Sequence, residues 1–393
     1  MNSKERVHAA MNHQQPDRVP VMCQLALGHY FLHSDYRPSD IWLDSEVFAK
    51  VLVEMQQKYG FDGILVNLPG RPPRWRKRVR SYEEAGKEEL IYWASGSLTR
   101  FPPDDNPQTV GPDGGPLARA DYRRFDMADP ALLRQPGYIW NTWHLPELWG
   151  IAPDAHLFST DAYPPWFTGA LEAVQRLAPD ISVHVEVFSP FTHLMELFGY
   201  EQTLMALVEA PDVCHQALML FSQVAFSQIM RYAQCKPDAI LVSSAFAGAG
   251  FISRDMYREF VFPYEDEVFG TIFTMGIKPY VHTCGAIGDR LDLMSELLVE
   301  GIDTLDPPPL GTVDLAKAKA KYGERFFFKG NLDAVNEMLH PDDEVFEEAV
   351  KERIRIGMPG GGYILSSACS VAPHVKPERL CRLVELAEEY GRY

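Results

Sequence analysis

A single (β/α)8 barrel is the fold this sequence predicts, and three observations lead there. Short β-rich runs alternate with long amphipathic stretches over most of the 393 residues, the pattern of repeated β–α units. No glycine-rich phosphate turn follows the first run, as the nucleotide sites of an open doubly wound sheet usually require. Hydrophobic and charged contents of 46% and 23% fit one large buried core.

The candidate strands, in order, are "RVPVMC" (18–23), "GILVN" (63–67), "AHLFS" (155–159), "SVHVEVF" (182–188), "AILVS" (239–243), "KPYVH" (278–282), "GIDTL" (301–305), "RFFFKG" (325–330) and "GYILSS" (362–367). Nine candidates compete for eight places, and 155–159 has the weakest claim. Helical stretches such as 200–234 and 342–357 intervene. The alternation breaks from 69 to 151, a stretch rich in Pro, Gly and Asp ("FPPDDNPQTVGPDGGP") with one expected hairpin around "ELIYWASGSLTRF". Residues 1–393 therefore read as one barrel domain, with 69–151 inserted over one mouth and too poor in regular apolar positions to stand alone.

A formal charge of −17 argues against a nucleic-acid partner, which needs a basic field. The basic run "RPPRWRKRVR" (71–80) reads as a solvated loop or hairpin edge in preference to a phosphate site. No segment approaches the roughly 18 apolar residues of a membrane span, and the first twenty residues lack the apolar core of a secretory signal. Six cysteines scattered along a long chain form no disulfide framework and suit a reducing cytoplasm.

In such barrels, residues at the C-terminal ends of strands build the active site. His282 and Cys284 lie at the end of "KPYVH", and period-two alternation puts them on one face. Cys369 follows the last strand at the same rim. One imidazole and two thiolates form a zinc set with one position open, the pattern of catalytic sites. Two convergent cysteines are too few for an iron–sulfur cluster. Spacing alone leaves packed or hydrogen-bonded residues as the competing reading. Glu186 alternates with apolar neighbours in "SVHVEVF" and is either a fourth ligand that substrate displaces or a buried carboxylate bonded elsewhere. His184 reads as packing. Tyr30, Asn67 and Asn331 are rim positions for substrate, although the run containing Asn331 suits a turn equally well.

"HTCGAIGDRLDLMSELLVEGIDTLDPP", "FFFKGNLDA" and "YILSSACSVAPHVKPERL", with "RVPV" near the start and "SPFTHLMELFG" in mid-chain, resemble the uroporphyrinogen decarboxylase superfamily. They look most like its zinc-containing, corrinoid-dependent methyltransferase branch. The resemblance implies zinc on His282, Cys284 and Cys369, and a corrinoid (cobalamin) carried by a separate protein. The decarboxylases themselves follow their first strand with arginines, whereas this chain has no arginine or lysine from Met22 to Leu32 and offers Asn67 where they present an aspartate. Porphyrinogen decarboxylation is therefore not expected.

Two chemistries fit the branch. One moves methyl from a small methoxylated aromatic to cobalt(I), O-demethylating it; the other moves methyl from methylcobalamin to a thiol such as coenzyme M. The long insertion resembles the aryl methyl ether demethylases, which makes the first the expected activity. The aromatic stretches "GHYFLH", "DAYPPWF" and "LIYW" supply lid material or ordinary packing. A non-catalytic cytoplasmic barrel that binds a small molecule is the remaining reading. The oligomeric state is left open, a homodimer included.

Overall fold

The computed structural model describes residues 1–117, 119–126 and 163–393. Seven parallel strands form the barrel wall in the order β1 (Gly63–Val66), β6 (Ser182–Phe188), β7 (Ala239–Ser243), β8 (Lys278–His282), β9 (Gly301–Thr304), β10 (Phe327–Leu332) and β11 (Tyr363–Ser367). All seven match an expected strand within about two residues. The expected strand 18–23 is the exception, since it is not a full strand. It pairs with the wall only as a bridge, Val21 beside Leu365. That segment nevertheless closes the ring. Met22 N donates to Leu365 O at 3.0 Å and Leu365 N to Pro20 O at 2.8 Å, while Asp62 N donates to Val21 O at 2.7 Å. Proline has no N–H to extend the ladder, which is one reason the pairing stays short. The ninth candidate, 155–159, lies outside the described residues.

The alternation of each strand separates two apolar layers. Ile64, Val66, Val183, Val185, Ile240, Val242, Val281, Ile302, Phe328 and Leu365 face outward into the helical shell. Met22, Leu65, Ala239, Leu241, Tyr280, Phe327 and Ile364 face inward and pack together with Val7, Ala10 and Met11. The last three come from helix Ser3–Met11, started by a capping box between Asn2 and Glu5. This helix plugs the N-terminal end of the barrel. Burial on both faces explains why the strands read as nearly continuous apolar runs.

Asp62 ties the seam. Fully buried, it accepts from Arg6 Nη1 at 2.6 Å, Arg18 Nη1 at 2.8 Å and Val21 N at 2.8 Å. The expected helix over 200–234 divides into Tyr200–Glu209 and Pro211–Ala233, because Pro211 has no N–H to continue the first helix and suits the opening turn of the second. Among the described residues no single helix is long and apolar enough to cross a membrane.

Between β1 and β6 the described residues contain a four-stranded antiparallel sheet, β2 (Val79–Ala85), β3 (Glu88–Trp93), β4 (Leu98–Phe101) and β5 (Gln108–Val110). The expected hairpin is β3–β4. Ile91, Trp93 and Phe101 belong to the same apolar cluster as the barrel's helical shell, and Phe101 meets Trp42 edge-on with centroids 5.5 Å apart. Gly28 lies so close to Asp104 that a Cβ there would stand 2.2 Å from its carbonyl oxygen. The strap around Asp104 is thereby held against helix Leu27–His33. The basic run is not wholly solvated. Arg71 is buried and donates through Nε to Trp42 O at 2.7 Å.

Candidate metal centre

His282 is the last residue of β8, in register with Ser243 on one side and Asp303 on the other. Its carbonyl accepts from Ser244 N at 2.8 Å. Three residues on, the chain turns at Gly285, whose φ of +76° is costly for a residue with a Cβ. Gly285 N donates to Asp306 Oδ2 at 2.6 Å, which fixes the loop that carries Cys284. Cys369 follows β11, where Ser367 Oγ donates to Cys369 O at 2.5 Å.

The three predicted ligands converge. Cys284 Sγ lies 3.3 Å from His282 Nε2 and 4.0 Å from Cys369 Sγ. All three ligand atoms are within 4.8 Å of one another. Neither cysteine is in a disulfide. A tetrahedral zinc with Zn–S of about 2.3 Å and Zn–N of about 2.1 Å sets its ligand atoms roughly 3.6–3.8 Å apart. The donor set and its spacing therefore fit that ion. Glu186 does not belong to this cluster.

Charge around the cluster is arranged in a buried row. His282 Nδ1 is 3.0 Å from Asp303 Oδ2, and Asp303 Oδ1 accepts from Lys329 Nζ at 2.9 Å. Holding Nδ1 on a carboxylate turns Nε2 toward the sulfurs, the usual way an imidazole ligand is oriented. Burial alone would raise the Asp303 carboxyl, but Lys329 and His282 outweigh it and hold it at about 2. Burial works against the imidazolium of His282, yet Asp303 and Cys369 push it up to about 10. A hydrogen bond from Cys284, with His282 adjacent, holds Cys369 as the thiolate of the pair, and Cys284 is raised correspondingly. Burial lifts Asp306 to about 6.

Glu186 points into the lumen from β6. It is half-buried, its Oε2 has no protein partner, and burial lifts it to about 7 against the pull of His282. His184 is a packing residue, bonded to Ser182 Oγ at 3.1 Å and to the Tyr280 hydroxyl at 2.9 Å. Asn331 and Asn67 are both buried with Oδ1 unpartnered, and Asn331 Nδ2 donates to Leu305 O at 2.8 Å. Tyr30 is a correction. The chain enters helix Leu27–His33 there, and the buried ring packs edge-on against Phe48, 6.3 Å between centroids. It belongs to the helical shell because 3.6-residue periodicity has replaced the strand's alternation. Sequence reasoning missed Asp303, Lys329 and Gln24. The available signal was a charged or amide side chain at inward parity within an apolar run.

The family model for uroporphyrinogen decarboxylase (URO-D) matches residues 157–390, more than half of the chain. Among curated relatives, methylcobamide:CoM methyltransferase MtaA of Methanosarcina barkeri is 23% identical over 246 residues, 61% of this chain and 68% of that protein. Uroporphyrinogen decarboxylase of Chlorobaculum tepidum is 25% identical over 205 residues, 51% of this chain and 56% of that protein. The chain thus spans between about half and two thirds of those relatives' lengths. Among solved structures, a methyltransferase from Methanosarcina mazei superposes with a TM-score of 0.68 at 16% identity, covering 99% of both chains. That likeness establishes the barrel fold.

Proposed function

We propose that this chain, which belongs to the uroporphyrinogen decarboxylase family, is a zinc-dependent methyltransferase that works with a corrinoid protein and O-demethylates a small methoxylated aromatic. The observation that carries the class is the convergence of His282 with Cys284 and Cys369 at the mouth of the barrel. Zinc held by these residues supplies a Lewis acid toward which charge on the departing ether oxygen can develop. Asp303 keeps His282 turned toward the cluster, and Lys329 keeps Asp303 ionised. The plug of Met22, Leu65, Leu241, Tyr280 and Phe327 fills the lumen below, so among the described residues the C-terminal mouth is the side from which reactants meet the cluster. The corrinoid arrives there as a substrate on its own carrier. In this reading the chain works as one barrel domain, with the described part of 69–151 set over its mouth.

A second reading takes the methyl acceptor to be a thiol. It is supported by the relative from Methanosarcina barkeri, described as a methylcobamide:CoM methyltransferase, and by the charge of the ligand set. Two thiolates neutralise a divalent ion and suit it to holding a third. Rates of methyl transfer to a cobalt(I) corrinoid across a series of substituted anisoles, with and without metal, separate the two. Ether cleavage predicts that metal removal slows the electron-rich members most, because stabilisation acts on charge appearing in the transition state. Transfer from no member of the series, together with transfer to coenzyme M, selects the thiol.

A further inference from the structure

The basic run 71–80 contains a buried charge that the metal centre does not use. Arg71 lies just past β1, with its guanidinium carbon 5.2 Å from the centroid of the Trp42 ring. It is only 5% exposed. Nε donates to Trp42 O at 2.7 Å and Nη1 to Pro69 O at 3.2 Å. Both acceptors are neutral carbonyls, and the buried Nη2 has no partner. Burial pushes the guanidinium down to about 9, with only Tyr232 pulling the other way. Buried cations are normally paired with an anion. Among the described residues none is paired with this one.

Arg71 lines a cleft of about 290 Å³ whose walls include Leu43, Pro72, Pro73, Trp75 and Trp166. Trp75 is also 5% exposed, and its indole Nε1 is buried without a partner. Arg71 Nη2 and Trp75 Nε1 are the buried side-chain polar atoms left unpaired along this cleft, and both are donors. The two carboxylates at its edge are committed elsewhere. Asp44 caps helix Ser45–Tyr59 by accepting from Glu46 N at 3.0 Å and Val47 N at 3.2 Å. Glu46 accepts from Arg176 Nη2 at 2.7 Å. Ser45 Oγ accepts from Arg71 N at 2.7 Å. Flat apolar walls with a few placed polar groups, enclosing roughly 300 Å³, are the usual make-up of a site for a small molecule.

We infer that this cleft is a second ligand site, separate from the metal centre, which takes a small organic monoanion: a carboxylate on a flat apolar body. The carboxylate accepts from Arg71 Nη2 and supplies the counter-charge that the guanidinium lacks. The apolar body lies along the proline and tryptophan walls. One guanidinium balances one negative charge, and Asp44 and Glu46 at the edge repel a dianion such as phosphate. None of His282, Cys284 and Cys369 lines the cleft, so the inference stands apart from the proposed reaction.

The test is calorimetric titration of the zinc-loaded full chain with benzoate, its neutral isostere benzamide, acetate and inorganic phosphate. Benzoate should bind about tenfold or more tightly than each of the other three, because only it supplies both the charge and the apolar body. Arg71→Leu should lower benzoate affinity at least about tenfold with zinc content unchanged. Gly169→Met tests the same cleft without touching the arginine. Gly169 lines it with φ −58°, and a Cβ there would meet Ser45 at an ordinary 3.8 Å, so a longer side chain narrows the space without backbone strain. It should weaken benzoate comparably. If Arg71→Leu loses zinc through misfolding, Gly169→Met decides alone. Benzamide, acetate or phosphate binding as tightly as benzoate, benzoate affinity unchanged in Gly169→Met, or no binding by any probe overturns the inference. Benzoate binding that disappears when zinc is removed places the anion on the metal and overturns it equally.

Discussion

Replacing Asp303 with asparagine should both destabilise the barrel and weaken zinc binding, and the two effects can be separated. Asp303 stands between two positive groups, His282 and Lys329, with exposures of 6%, 2% and 1% for His282, Asp303 and Lys329. Asparagine offers a single neutral oxygen to two donors that now share two. Breaking a buried ion pair from one side costs about 3–5 kcal/mol. The carboxyl's displacement from 3.8 to about 2 independently corresponds to roughly 2 kcal/mol at neutral pH. The second figure counts only what the ionised form gains over the protonated one, and the first adds the stranded Lys329. A loss of about 3 kcal/mol is expected at pH 7. Because the folded value is depressed, the carboxylate's contribution is complete above about pH 4 and is lost as the pH falls toward 2. The difference between parent and variant should shrink over that range. Zinc affinity should fall about 10- to 100-fold, as for other partners that orient a ligating histidine. Adding Lys329→Met should recover most of the stability and none of the zinc affinity. Urea unfolding at several pH values and chelator competition on the same samples measure both. Stability within about 1 kcal/mol of the parent, with zinc affinity within threefold, would refute the reasoning, since neither magnitude could then come from this row.

Cys284→Ser, Cys369→Ser and His282→Ala should each lower zinc content severely when measured by elemental analysis, because a hydroxyl or a methyl cannot replace a thiolate or imidazole; a triple variant that keeps one tightly held zinc per chain would remove the ligand assignment. Asp62→Asn should cost about 3 kcal/mol and speed amide exchange at Val21 and Met22, where the ring closes; unchanged exchange would mean the seam is held by its backbone bonds alone. Glu265, fully buried in helix Phe262–Thr274, is pushed up by burial to about 7. Its folded form keeps a proton that the unfolded chain releases above about pH 4.5, so the parent loses stability as pH rises from there to 7. Glu265→Gln should abolish that slope and gain on the order of 3 kcal/mol over the parent between pH 4 and pH 8; parallel pH profiles would refute the buried, proton-holding state.

What the sequence by itself determined is what short-range chemistry encodes. The strands 182–188, 239–243 and 278–282 were legible because walls buried on both faces leave apolar runs with sharp ends. The His282–Cys284 pair was legible because two positions on one strand face need no distant information. Cys369 joined the pair because it follows the last strand at the same rim, the family motifs imply the same set, and the family model over 157–390 agrees with that membership. The first strand was overread, since Val21 and its neighbours are apolar like a strand but bond the ring through only a short bridge.

Tertiary structure alone decided which polar side chains share the lumen. Tyr30 read as a rim residue until the chain's turn into helix Leu27–His33 put it against Phe48. Asp303 and Lys329 gave no sign of being partners, 26 positions apart, until β9 and β10 paired in register. Gln24 and Asn67 likewise belong to one layer only because the ring closes between residues 20–22 and β1. Alternation tells which of two faces a residue takes, a property of the local backbone. Which face is the lumen, and what stands across it, depends on contacts between segments far apart in the chain, and those are set by closure of the barrel as a whole.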